Sequence, residues 1–185
     1  MVYNAEVHRR RSIRLRDYDY SHAGAYFVTI CAWQRECLFG EVVDGEVRLN
    51  DAGWIVQKCW DDMPHHFSHV ELDAFVLMPN HAHGIIVING PVGARFIAPD
   101  YHDASVKQGA INRAPTLGTI IRGFKARCTY AINQQRNNPG VPVWQRNYYE
   151  RVIRDEAEWH AIRQYMIDNP IKWAEDENHP TRLLT

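Results

Sequence analysis

The sequence is short of several things, and each shortage closes off a class of protein. Its four cysteines, Cys31, Cys37, Cys59 and Cys128, show no C-x-x-C spacing and suggest neither a disulfide framework nor a redox motif. No apolar run approaches the roughly 18 residues that a membrane-spanning helix needs, and no apolar leader segment is evident. A reduced, soluble, cytoplasmic protein without a membrane partner is expected. There is no internal repeat, no low-complexity block and no H-E-x-x-H motif. Net charge is nearly absent as well, −1 at pH 7, so bulk electrostatics do not announce a nucleic-acid binder.

What is present is a chain of 185 residues, 45% hydrophobic and 11% aromatic, enough for one domain with a real core. Its charge is unevenly spread. Arg9, Arg10, Arg11, Arg14 and Arg16 face only Glu6 in the first 16 residues, whereas residues 155–178 hold seven acids. A basic arm on a neutral body is suited to gripping phosphates, and equally describes a solvated tail. The expected layout is an arm over residues 1–20, one domain over 21–178 with an irregular stretch at 91–114, and a tail over 179–185.

The stretch around which the rest is arranged runs from Glu71 to Gly90, two apolar strands joined at Pro79-Asn80 and interrupted by His81-Ala82-His83. Alternation in a strand sends His81 and His83 to one face, about 7 Å apart along the backbone, and Ala82 and Gly84 to the other. Ile85, Ile86, Val87 and Ile88 then read as buried on both faces. Two imidazoles side by side can share a metal ion; a pair of partly exposed histidines is the plainer alternative.

Elsewhere, Ala25–Trp33 reads as a strand and Asp44-Gly45 as the turn of a hairpin between Leu38 and Leu49. A helix capped by Asn50 or Asp51 is expected to run to about Met63, stopped by Pro64. A second helix spans about Pro115 to Ile132, with Leu117, Ile120, Ile121, Phe124 and Cys128 as its apolar stripe and Arg122, Lys125 and Arg127 on its flanks and far side. Val141–Tyr149 reads as a strand rich in groups that stack on bases or hold phosphates: Trp144, Arg146, Tyr148 and Tyr149, followed by Arg151. A last helix begins at Asp155, with Glu158 completing a capping box, and ends before Pro170. Trp159, Ile162 and Met166 form its stripe, and Tyr165 and Asn169 sit one turn apart on its flank. This order predicts an α+β, ferredoxin-like antiparallel sheet with helices packed on it.

If the last helix crosses the sheet near the histidines, His81, His83 and the Asn169 amide could hold a divalent ion with open positions. Such an ion polarises a phosphodiester oxygen, and Tyr165 could then attack phosphorus. The resulting phosphotyrosine retains the energy of the broken linkage, so a strand can be rejoined without ATP. Tyr148 and Tyr149 are rival nucleophiles, ranked lower because only Tyr165 has a polar partner one helical turn away.

The segment FVLMPNHAHGIIVI resembles the His-hydrophobic-His motif of the HUH single-strand endonucleases, and QYMIDNP resembles the single-tyrosine motif of their transposase branch. With RRRSIRLRDYDYSHAGAYFVTICAWQRECLFG and WQRNYYERVIRDE, most of the chain is similar to the REP-associated tyrosine transposases and related insertion-sequence transposases. The resemblance implies a ferredoxin-like fold, Mg²⁺ or Mn²⁺, and cleavage of hairpin-flanked single-stranded DNA through a 5′-phosphotyrosine, by a monomer or a homodimer. It makes His81 and His83 metal ligands, Asn169 the third ligand and Tyr165 the nucleophile. Arg9, Arg10, Arg11, Arg14, Arg122, Lys125, Arg127, Trp144, Arg146 and Arg151 are the expected DNA contacts. Two other readings predict different behaviour: a non-catalytic single-stranded nucleic-acid module would bind without a covalent product, and a zinc hydrolase would keep its activity in Tyr165→Phe.

Overall fold

The computed structural model describes residues 23–89 and 116–184. The arginine arm, with Arg9, Arg10, Arg11 and Arg14, and the 91–114 stretch lie outside the described residues. Within them, a four-stranded antiparallel sheet has the order β4 (Val70–Leu77), β5 (His81–Ile88), β1 (Gly24–Cys31), β6 (Tyr149–Ile153). Helices α1 (Asp51–Asp61), α2 (Met63–His66) and α3 (Leu117–Gln135) precede β6, and α4 (Glu156–Asp168) follows it. Strand β5 lies between β1 and β4 and runs antiparallel to both, the split β-α-β arrangement of a ferredoxin-like fold. The expected α+β class is what the chain adopts.

Local chemistry explains the elements. Asn50 caps α1 by accepting from Gly53 N–H, and Thr116 and Asp155 cap α3 and α4 in the same way. Asp44 and Gly45 both take positive φ, 54° and 79°, which joins β2 (Gly40–Val43) to β3 (Glu46–Leu49) in a tight hairpin. The expected helix to Met63 stops two residues early, and Pro64 opens the short α2 rather than ending α1, since proline's missing N–H costs nothing in a first turn.

The two faces of the sheet are filled differently. Tyr26, Val28, Ile30, Ala82, Ile86 and Ile88 point toward α1 and α3, where they meet Val56, Trp60, Phe124 and Cys128. Gly84 is required here: a Cβ would lie 2.2 Å from the Trp60 ring. The opposite face, with Ala25, Phe27, Ile85, Val87 and Ile153, packs against Trp159, Ile162 and Met166 of α4. The α3 stripe read from the sequence is buried, and that of α4 is buried at Met166 and half-buried at Trp159 and Ile162. Of the expected strand at Val141–Tyr149, only a single antiparallel bridge, Trp144 to Ala32, forms before Tyr149. Pro142 has no N–H for a ladder, and the carbonyls of Gln145, Arg146 and Asn147 are taken by the Lys125 ammonium at 3.0, 3.5 and 2.9 Å.

Candidate active site

Alternation along β5 puts His81 and His83 on the α4 face, as the sequence predicts, and both are buried. Their Nε2 atoms lie 3.0 Å apart. The neighbours fix how they present those nitrogens. Asn80 Nδ2 donates to the carbonyls of Arg35 and Asn178, at 3.0 and 2.7 Å, so its Oδ1 is the atom left for His81 Nδ1, 2.9 Å away. Only an N–H can face that oxygen. His81 therefore carries its proton on Nδ1 and offers Nε2 as a lone pair. His83 Nδ1 meets the Thr29 hydroxyl at 2.8 Å, a partner that can donate or accept and so serves either tautomer. Burial and His81 push the His83 imidazolium well out of range, and burial brings His81 down to about 4 against the pull of Asp176. Both rings are neutral at physiological pH, the state in which imidazole binds metal.

Helix α4 brings Tyr165 across this pair. Its hydroxyl is 3.3 Å from His83 Nε2, and its ring stands edge-on to Phe27, which stacks on His83 at 5.4 Å. Burial, then Asp176 and Glu177, raise the phenol above its ordinary value, while a hydrogen bond to Asn169 opposes them. In the absence of added positive charge this is an un-ionised hydroxyl.

Past Pro170 the chain folds back through a 3₁₀ turn, Trp173–Glu175, that lays Trp173 beside His81 and delivers Asp176. Asp176 Oδ2 is 3.9 Å from His81 Nε2 and accepts from Asn169 Nδ2 at 3.2 Å. Asn178, through its carbonyl, ties this strap to Asn80. The donor set fits a divalent cation on two counts. His81, His83 and Asp176 each present a ligand atom within 4.8 Å of the others, and Asn169 Oδ1 is buried with no hydrogen-bond partner. Sequence reasoning missed Asp176. It belongs to the acid-rich segment, but nothing in its spacing distinguishes it from Glu175 or Glu177.

The rival tyrosines separate by alternation. Tyr148 packs into the α3 side, with Lys125 over its ring, while Tyr149 is exposed on the α4 side. The expected DNA contacts also divide. Trp144 is 6% exposed, its ring lodged between Phe39 and Phe124, which leaves no face for a base. Lys125 is committed to loop carbonyls and, through burial, falls to about 8. Arg127 pairs with Asp62 and Arg151 with Glu158. Arg122 and Arg146 are exposed on a groove of about 860 Å³ between α3 and the 137–146 loop.

No protein-family model matches the chain. An uncharacterized protein of Haemophilus influenzae is 43% identical over 176 residues, which are 95% of this chain and 96% of the relative. A solved structure of a REP-associated tyrosine transposase bound to a REP hairpin is similar with a TM-score of 0.56 at 19% identity, covering 89% of this chain and 76% of that one. No helix among the described residues is long and apolar enough to cross a membrane.

Proposed function

Since the chain belongs to one family with the Haemophilus influenzae protein and has the fold of a REP-associated tyrosine transposase, we propose that it is a metal-dependent single-stranded DNA endonuclease and strand transferase, transposase-like, acting on hairpin-flanked sites. One observation carries the reading: within a single chain, the Tyr165 hydroxyl lies 3.3 Å from His83 Nε2, itself 3.0 Å from His81 Nε2. A tyrosine, two neutral imidazoles and a buried unpartnered amide oxygen at one place are the parts that phosphoryl transfer to tyrosine needs.

In this mechanism His81, His83 and Asp176 would hold a cation, with Asn169 Oδ1 as a further donor. When bound, Mg²⁺ or Mn²⁺ would supply Lewis-acid polarisation of a phosphodiester oxygen and positive charge beside a phenol that burial and the two carboxylates keep protonated. Tyr165 Oη gives up its proton to solvent and forms a bond to phosphorus as the P–O3′ bond breaks. The departing 3′ oxygen takes up a proton and the 5′ phosphate stays on the tyrosine. Attack by a 3′ hydroxyl reverses the step, so rejoining needs no ATP. Thr29 and Asn80 hold the rings, Phe27 fixes the tyrosine's approach, and Trp173 covers His81. Arg122 and Arg146, with the arm arginines Arg9, Arg10, Arg11 and Arg14, contribute phosphate contacts.

The test is to mix the protein with hairpin-bearing single-stranded DNA and Mn²⁺ and to run a denaturing gel. A protein–DNA adduct is expected, and is lost on chelation, in Tyr165→Phe and in His81→Ala. Binding without any adduct would favour the nucleic-acid module instead.

A further inference from the structure

Strand β6 forms an edge of the sheet, and its register with β1 places one exposed aromatic residue level with the candidate site. Tyr149 pairs with Thr29, and Thr29 pairs on its other side with His83. Directly opposed residues in an antiparallel sheet share a face, and Thr29 already bonds His83 Nδ1 on that face. Tyr149 therefore stands in the same row as His83, two strands away, roughly 10 Å at the ordinary strand spacing. It is 43% exposed, and among the described residues its ring stacks on nothing and its hydroxyl bonds nothing. The next residue of β6 on that face, Arg151, is held through Nε by Glu158 of α4 at 2.6 Å and keeps its terminal N–H donors in reserve.

A large aromatic ring on an edge strand, unpacked and beside a cation with spare donors, has the chemistry of a nucleotide platform: the ring takes a base and the guanidinium takes its phosphate. We propose that Tyr149 is the surface on which the unpaired base flanking the scissile phosphate stacks, setting the strand's position against Tyr165. This rests on the strand-transfer reading and deepens it by naming the part of the substrate that this edge of the sheet receives. It also gives Tyr149 a role other than nucleophile. A stacked ring needs its faces, not its hydroxyl.

The experiment uses the full chain, Mn²⁺ and hairpin-bearing single-stranded DNA whose cut position has first been mapped on the wild-type adduct. Adduct formation is followed against DNA concentration for wild type, Tyr149→Ala and Tyr149→Phe, on intact DNA and on DNA with an abasic site beside the cut. Tyr149→Ala is expected to raise the apparent KM roughly 5- to 100-fold, the range for loss of one base–aromatic stack, with a smaller change in the maximal rate. Tyr149→Phe should behave as wild type. On abasic DNA the alanine variant and wild type should become equal. Mn²⁺ affinity should not change in either variant. An unchanged KM in Tyr149→Ala, a phenylalanine variant as poor as the alanine one, or a deficit that persists on abasic DNA would each overturn the platform. Failure of wild type itself to form an adduct would instead overturn the strand-transfer reading, and the platform with it.

Discussion

On the face of the sheet that packs against α1 and α3, β5 contributes Ala82, Gly84, Ile86 and Ile88; on the opposite face the same strand contributes His81, His83, Ile85 and Val87. The first set is fitted carbon against carbon, to the point that the Trp60 ring occupies the space a Gly84 Cβ would need. The second set buries polar atoms as well as apolar ones, and its order comes from hydrogen bonds to Asn80 and Thr29 and from the strap that carries Asp176. One face stores stability and the other exposes stability to loss in exchange for chemistry. The same substitution size should therefore register in different measurements on the two faces.

The largest effect expected is on the packed face. Trp60→Ala removes a ring stacked on Phe75 and set against Phe124, and should cost about 3–5 kcal/mol in chemical denaturation. Tyr165→Phe, at a half-exposed position on the other face, should stay within about 0.5 kcal/mol of wild type while abolishing the adduct. Equal losses of stability in the two variants would break the distinction.

Acid should reach the polar face first. In metal-free protein His81 resists protonation down to about 4, whereas an unfolded chain takes up that proton near the ordinary value of 6.5. The unfolded state then binds more protons throughout that window, so stability is intact above pH 6.5 and falls as pH drops toward 4, by about 3 kcal/mol in all. Denaturation midpoints measured from pH 7 to 4 should slope less steeply in His81→Ala than in wild type. Parallel slopes would mean that burial of this ring is not what acid undoes.

A smaller effect tests the hydrogen-bonded order directly. Asn80→Ala removes the oxygen that holds the His81 proton on Nδ1, and should weaken Mn²⁺ binding about 10- to 100-fold, read by the signal of free Mn²⁺ in spin resonance. The rise in melting temperature on adding Mn²⁺ should shrink in step. Unaltered Mn²⁺ affinity would show that the tautomer is set elsewhere.

How much of this could be read in advance depended on whether a feature is periodic. The stripes of α3 and α4, the Asp44-Gly45 turn and the common face of His81 and His83 follow from periods of 3.6 and 2, and each was legible. The meeting of Tyr165 with His83 was legible only as a resemblance between motifs. Asp176 was not, because a 3₁₀ turn after Pro170 sets its place and the run of acids around it has no period. The surroundings of Trp144 and Lys125 were not legible either: residue type suggested a nucleic-acid surface, whereas a loop joined to the end of β1 by a single bridge lodges the indole in the core and takes the ammonium on its carbonyls.

The least visible feature in the sequence also yields the subtlest test. Leu72 pairs with Ile86 and Phe75 with Gly84, so Asp73 and Ala74 together stand opposite Ile85, a bulge that turns both toward α4. Strict alternation would have sent one of them to the apolar core. Asp73 instead accepts from Trp159 Nε1 at 2.6 Å and from Arg163 Nε at 2.8 Å, with a second bond from Arg163 Nη2. The Arg163 guanidinium holds the Asp73 carboxyl below its ordinary range, with the indole N–H adding to the effect. This latch grips α4 at Trp159 and Arg163, six and two residues before Tyr165, and so sets where the hydroxyl falls relative to His83. Because the Arg163 side chain is 42% exposed, little stability is at stake. Asp73→Asn should leave the denaturation midpoint nearly unmoved yet slow adduct formation roughly 10-fold, since a small displacement of a nucleophile is felt strongly in rate. Metal affinity should stay at the wild-type value, because the latch touches none of the candidate ligands. A variant that lost stability and kept its rate would place Asp73 with the packed face rather than with the reactive one.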